Sequence, residues 1–193
     1  MKTYYFKAKF SFAVILFGAL FVLGSCQFGS KKNARKPADT LQVDNAVIDT
    51  TVYGTCGEGT AMHSLELITD AGDSLQYMIL ESADGQQDVQ GGLLVGDRLA
   101  VIEGKGLDNE RVAKKVVNIT TLLGKWTSLD KNFDILEDGT VRSNVKAETN
   151  PWTNWKILNG QLLLNKDTFD IVKLGKDSLY LENKQGIFTF KRP

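Results

Sequence analysis

The chain has 193 residues, with 23 basic and 23 acidic side chains and a single histidine. That length suits one or two small domains. The even balance of charge offers no basic surface for nucleic acid, so no nucleic-acid partner is expected.

Lys2, Lys7 and Lys9 come first, and Phe12 to Leu23 is then an uncharged, mostly apolar run. This is the layout of a secretory leader, and the run is too short to span a bilayer comfortably. The next residues, Leu23-Gly24-Ser25-Cys26, resemble a bacterial lipobox: a branched apolar residue, two small residues and a cysteine. The resemblance implies lipid transfer to Cys26, cleavage before it and acylation of the new N-terminus. Residues 1–25 are then a lipoprotein signal peptide, and the membrane is a partner through the lipid on Cys26. Without the three leader lysines, 20 basic residues face 23 acidic ones. With Cys26 lipidated, Cys56 has no partner in the chain, which excludes a disulfide framework.

Residues 26–43 read as a flexible tether. They are polar, with Gly29, Ser30 and Pro37 and the bases Lys31, Lys32, Arg35 and Lys36, and cannot bury enough apolar surface to fold. The bases could touch anionic headgroups or merely keep a spacer soluble. Surface-exported lipoproteins of the Bacteroidetes group often carry an acidic run after the cysteine. No such run follows Cys26, which implies an outer-membrane anchor facing the periplasm. Asp39-Thr40-Leu41 is similar to the periplasmic O-glycosylation acceptor of that group. The same pattern recurs at Asp49, Asp73 and Asp177, but only Thr40, in the tether, is clearly accessible, making it the candidate glycosylation site.

From Asp44 the texture changes to short apolar segments broken by Gly and Asp. Val47–Tyr53, Ser64–Thr69, Ser74–Leu80, Gly91–Ile102 and Val112–Thr120 read as strands. Leu65 with Leu67, and Leu75 with Tyr77 and Ile79, share faces at period two. No window keeps a helical period for three turns. Five short strands in residues 44–120 predict an OB-like β-barrel. Tyr53 and Tyr77 are too few aromatics to carry over base or sugar stacking.

The second half, residues 121–193, follows almost without a linker, which predicts docked halves. Eight strands are expected, starting near Lys125, Phe133, Val141, Trp152, Gln161, Thr168, Ser178 and Ile187. Asn159-Gly160 between two apolar runs is the strongest hairpin signal in the chain. Eight antiparallel strands can close into an up-and-down barrel. The fold class expected is therefore all-β, an OB-like small barrel followed by a short eight-stranded one.

Gly124-Lys125-Trp126 at the head of the first of these strands resembles the Gly-x-Trp signature of the lipocalins. With Phe133, Asp138-Gly139-Thr140, Trp155 and Leu162, it looks like the compact lipocalin-like domains of Bacteroidetes lipoproteins. Thr60-Ala61-Met62-His63 with Leu65, Leu67 and Gly72-Asp73 is similar to the domain preceding the barrel in some of them. The resemblance implies a basic residue near the C-terminus lying across the Gly-x-Trp tryptophan. Strand alternation puts Phe188, Phe190 and Arg192 on one face and Lys191 on the other, so Arg192 is that residue. It further implies a binding role, for a small apolar ligand or an envelope protein, with Trp126, Trp155 and Arg192 as candidate ligand-binding residues. Strands this short form a barrel that side chains alone can fill. A known envelope-stress lipoprotein pairs two such barrels in the opposite order, so a structural or stress-sensing module without a ligand is the alternative.

Any of Trp126, Trp152 and Trp155 could floor a pocket, although core packing is their usual fate. Cys56, Glu58 and His63 share a glycine-rich loop. Zinc needs three or four protein ligands and this loop offers three at most. A Cys–His nucleophile also needs an orienting group. A turn with a buried cysteine is the expectation, with no metal and no cofactor. Glu137-Asp138 and Asp167 with Asp170 read as turn and solvent-face acids. No phosphate loop, nucleophile elbow or zincin helix occurs, so no enzyme and no catalytic residue is expected.

Overall fold

The computed structural model describes residues 47–81, 87–106 and 110–193. The leader, Cys26, the tether and Thr40 lie outside the described residues. Among those described, no helix is long and apolar enough to cross a membrane.

The chain is all-β. β1 (Thr51–Cys56), β2 (Ser64–Thr69), β3 (Ser74–Ile79), β4 (Val89–Gln90), β5 (Arg98–Lys105) and β6 (Arg111–Asn118) form one sheet. It closes on itself, because β3 runs parallel to β6 through Met78↔Val112 and Ile79↔Ala113. The cycle β1-β2-β3-β6-β5 is a five-stranded OB-like barrel. Alternation builds its core: Leu65 and Leu67 from β2, Tyr77 and Ile79 from β3, Leu99 and Val101 from β5. A register shift between Ile102 and Glu103 breaks the ladder of β5 with β6, and Val112 and Ala113 on the opposite strand are both buried. This is the local kink that a bulge introduces.

Several strand limits differ from the sequence reading. The strand expected over Gly91–Ile102 is β5, which starts only at Arg98, because the Asp97 N–H donates to the Leu94 carbonyl at 3.0 Å and closes a turn there. The short β4 was not expected, and β1 runs on to Cys56. β1 starts at Thr51 because Ile48 and Thr50 are held by the Asn159 side chain instead of a ladder. β6 stops at Asn118, where a single helical turn begins, α1 (Ile119–Leu122). Asn118 caps it, its Oδ1 accepting the Thr121 N–H at 2.8 Å. Its Nδ2 donates to Asp97 Oδ2 at 2.6 Å and to the Gly92 carbonyl at 3.0 Å. An asparagine satisfied on all sides can be fully buried.

The second sheet holds β7 (Gly124–Thr127), β8 (Asn132–Ile135), β9 (Val141–Ser143), β10 (Trp155–Leu158), β11 (Gln161–Leu164), β12 (Asp167–Leu174), β13 (Ser178–Asn183) and β14 (Gly186–Lys191). All its pairings are antiparallel, in the order β10-β11-β12-β13-β14-β7-β8-β9. The meander returns on itself through one pair, Lys191↔Thr127. A single bridge, Thr140↔Asn154, joins β9 to β10. The barrel is up-and-down and nearly closed. Asn159 and Gly160 have φ of 50° and 80°, the left-handed pair that a two-residue hairpin requires.

The fourth strand starts at Trp155 rather than near Trp152. Pro151 has no N–H to give a ladder, and Asn165 Oδ1 takes the N–H groups of Thr153 and Asn154. The segment 144–154 is therefore an irregular connection, and Trp152 is free to point inward.

The barrels share packing. Ala100 of β5, Val117 of β6 and Ile119 belong to the core of the second barrel. Val101 and Val116, their neighbours in sequence, belong to the core of the first. β5 and β6 are thus covered on both faces, which is why Leu99-Ala100-Val101 reads as an unbroken apolar run. Polar contacts reinforce this docking. Tyr53 Oη donates to the Ile157 carbonyl at 2.8 Å, and the Leu174 N–H donates to Gln90 Oε1 at 3.0 Å.

Candidate functional site

The base of the second barrel is built around Trp126. Its ring is 0% exposed, and its Nε1–H donates to the Leu122 carbonyl at 2.8 Å. The Arg192 guanidinium lies over it, 4.2 Å from the ring centre. Arg192 Nη2 donates to the carbonyls of Thr121, at 2.6 Å, and Leu123, at 3.0 Å. Its Nε donates to the Lys176 carbonyl at 2.7 Å. Gly124 completes the arrangement: its φ is +107°, and a Cβ there would stand 2.7 Å from Arg192 Nη1. The glycine of Gly-x-Trp is needed because a guanidinium lies against its Cα. The alternation along β14 brings Arg192 to the face that Phe190 occupies, as read from the sequence.

The opposite end is open. β7 ends at Thr127, and Ser128 turns away to donate its N–H to the Lys131 carbonyl at 2.7 Å. Among the described residues, no strand pairs with Ile187–Phe190 on that side of β14. A cleft of about 690 Å³ follows this edge. Buried Trp152 and Phe190 and half-buried Phe188 line it, with Leu129, Lys131 and Ile187 at the rim. Leu129 and Ile187 are exposed apolar side chains, and an apolar recess of this size is where small ligands are usually held.

Trp152 comes into the barrel from the 144–154 connection and is 9% exposed. Its ring meets Phe133, Phe169 and Phe190 edge to face, with centroids 5.2, 5.8 and 6.3 Å away. Lys131 Nζ sits 4.5 Å above it and pairs with the Glu148 carboxylate. The Ser143 hydroxyl donates to the second oxygen of that carboxylate. Burial acts to raise the Glu148 pKa, but the hydrogen bonds from Lys131 and Ser143 and the Lys131 charge outweigh it. They hold the carboxyl below its ordinary value.

None of Trp126, Trp155 and Arg192 lines this cleft. Trp126 and Arg192 meet at the base, where the tryptophan has no free surface. Trp155 lies on the β9–β10 seam. Its Nε1–H donates to the Leu136 carbonyl at 2.7 Å and its N–H to the Gly139 carbonyl at 2.9 Å. The tryptophan at the cleft is Trp152, and Lys131 and Glu148 escaped the sequence reading. Their signal was the length of the 144–154 connection, beyond the two to five residues usual in a hairpin.

The glycine-rich loop of the first barrel has a structural explanation. The Glu66 carboxylate accepts the Gly59 N–H at 2.7 Å, and a Cβ on Gly57 would stand 2.3 Å from it. Cys56 is 2% exposed within the apolar core, its thiol 3.3 Å from Thr60 Oγ1. The His63 side chain is 60% exposed and lies 3.3 Å from Glu81. Core and solvent thus separate the two groups. Asp138 accepts the Thr140 hydroxyl and N–H in a turn, and these hydrogen bonds lower its pKa. Asp170 accepts from Gln161 Nε2 at 2.8 Å. Among the described residues, no three His, Cys, Asp or Glu side chains gather into a possible metal site.

Comparison of the chain with protein-family models, with curated proteins and with solved structures gave no match.

Proposed function

We propose that this protein is a lipid-anchored lipoprotein of the cell envelope, held in the outer membrane by Cys26 and facing the periplasm. Its second barrel acts as a binding module for the apolar part of a small ligand or of an envelope protein. The observation that carries the binding role is the cleft along β14, lined by Trp152, Phe188 and Phe190 and open to solvent. The lipobox-like Leu23–Cys26 carries the anchor. Each buried methylene contributes about 0.8 kcal/mol, so several acyl chains make retention durable. The alternative, a structural or stress-sensing module without a ligand, draws support from the lumen, which is filled by Phe133, Trp152, Phe169 and Phe190. Native mass spectrometry of the protein extracted from its own membrane tests both parts. The expected species starts at an acylated Cys26 and carries an apolar molecule or a protein partner that Phe188→Arg loses. A chain without acyl groups overturns the anchor. An acylated chain that is empty before and after the substitution overturns the binding role in favour of the alternative.

A further inference from the structure

The 144–154 connection places two unlike groups on neighbouring parts of one site. Trp152 puts a flat apolar ring among Phe133, Phe169 and Phe190 inside the barrel. Four residues earlier, Glu148 puts a carboxylate on Lys131 and Ser143. Seen from the barrel, the connection presents an anionic head and an apolar body. Lys131 touches both, pairing with the carboxylate and lying over the indole. Lys131 and Ser143 belong to the wall, the first in the β7–β8 turn and the second at the end of β9. Only Glu148 and Trp152 travel with the connection. If it lifts away, the wall retains an unpaired ammonium and a hydroxyl at the edge of an emptied aromatic chamber. The chamber is continuous with the cleft, because Trp152 and Phe190 line both.

We propose that the 144–154 connection is an intramolecular competitor for the ligand of the second barrel, and that this ligand is an apolar molecule bearing a carboxylate. This inference rests on the binding role proposed above. The ligand's apolar body takes the place of the Trp152 ring, and its carboxylate takes that of Glu148 on Lys131 and Ser143. The filled lumen and the open cleft are then two aspects of one site, shut by its own side chains until a stronger occupant arrives. Affinity measured on the unmodified protein is accordingly lowered by the fraction of molecules that are shut. Loosening the connection raises affinity although it removes no contact that the ligand makes.

The test uses the chain from residue 27 onward, made without the leader. Both hydrophobic cores lie within residues 52–190, so this chain retains them entire. Dansyl-undecanoate is the probe, with dodecanoate and dodecanol as displacing ligands. Glu148→Gln is expected to bind the probe at least fivefold more tightly than the unmodified chain. Dodecanoate is expected to displace it better than dodecanol, a preference that Lys131→Met abolishes. In the unmodified chain, saturating dodecanoate is expected to speed amide hydrogen exchange across 144–154, a readout that does not depend on any variant folding. Equal probe affinity in Glu148→Gln and the unmodified chain, with no change in exchange, overturns the competitor and leaves the binding role standing. Equal displacement by acid and alcohol overturns the carboxylate assignment. No probe binding by either folded chain overturns the competitor and the binding role together.

Discussion

Both ends of the second barrel place a tryptophan beneath a cation, and the resemblance stops there. At the base, Trp126 is part of a strand, and Arg192 over it is fixed by the carbonyls of Thr121, Leu123 and Lys176. At the mouth, Trp152 is part of a connection, and Lys131 over it is fixed by one carboxylate of that same connection. A planar guanidinium has enough donors to stack and to bond several carbonyls at once. An ammonium is a point charge that follows its nearest anion. The same pair of residue types thus makes a permanent closure at one end and a releasable one at the other.

The largest effect expected from this contrast separates the two tryptophans. Trp126→Ala removes a fully buried ring from a strand whose neighbours cannot collapse into the space. It should cost about 3–5 kcal/mol in denaturant unfolding. Trp152→Ala should cost less than half of that, because the connection can settle into the vacated volume. Equal losses would mean that the mouth is as rigid as the base.

A middle-sized effect sharpens the account of the base. Arg192→Ala should cost about 1–3 kcal/mol, from the cation–π contact and the charge-assisted hydrogen bonds together. The loss should be non-additive with that of Trp126→Ala, while Lys191→Ala should be nearly silent. Gly124→Ala should reproduce about 1–2 kcal/mol of it, since a left-handed φ and a Cβ against the guanidinium both oppose the substitution. Thermal unfolding of the four single variants and of the Trp126→Ala/Arg192→Ala double variant gives the comparison. Similar small effects at Arg192 and Lys191 would remove the closure.

The smallest effect belongs to the mouth and depends on pH. The Glu148 carboxyl is held below its ordinary value of 4.5. A lowered folded-state pKa gives stability that is present above 4.5 and is lost as pH falls through the lower folded value. Acid should therefore loosen 144–154, seen as falling amide protection factors there, relative to the pH-dependent intrinsic exchange rate, below about pH 4.5, and Glu148→Gln should flatten that response. Asp70, lowered mainly by its Arg98 hydrogen bonds, adds an acid-labile contact in the first barrel, so the readout must be local to the mouth.

Much of the architecture was legible because it rests on local rules. Period-two alternation placed Leu65, Leu67, Tyr77 and Ile79 inside the first barrel. Asn159-Gly160 marked its hairpin through the φ values that only such residues adopt easily. The base closure was implied by the Gly-x-Trp resemblance, and the alternation of Phe188, Phe190 and Arg192 singled out Arg192 rather than Lys191 for it. The mouth was illegible for the converse reason. Trp152 leaves the ladder because Asn165, distant in sequence, takes the N–H groups beside it. Glu148 finds Lys131 across a turn whose course no local pattern fixes. The turn with a buried cysteine was legible, but not why Gly57 and Gly59 are glycines, since Glu66, which lies against them, belongs to the next strand. The turn α1 was missed because a four-residue helix has too few positions to show a period, and its stability comes from the Asn118 cap.

The Asn159–Gly160 tip has a consequence for the order in which the chain takes shape. Gly160 is buried, and a Cβ there would stand about 3.0 Å from the Lys115 side chain and 3.1 Å from that of Ile102. Asn159 meanwhile bonds Ile48 and Thr50 at the start of the described chain. The first barrel therefore remains unfinished until a turn about fifty residues beyond Ile102 and Lys115 arrives to cover them, and more than a hundred beyond Ile48 and Thr50 to hold its start. During synthesis or export, a chain halted before the second barrel is made lacks most of the core that Ala100, Val117 and Ile119 join and presents them as apolar surface. Such an intermediate depends on a holdase or on rapid completion to escape aggregation. Timing, as much as contact, joins the two halves into one cooperative body.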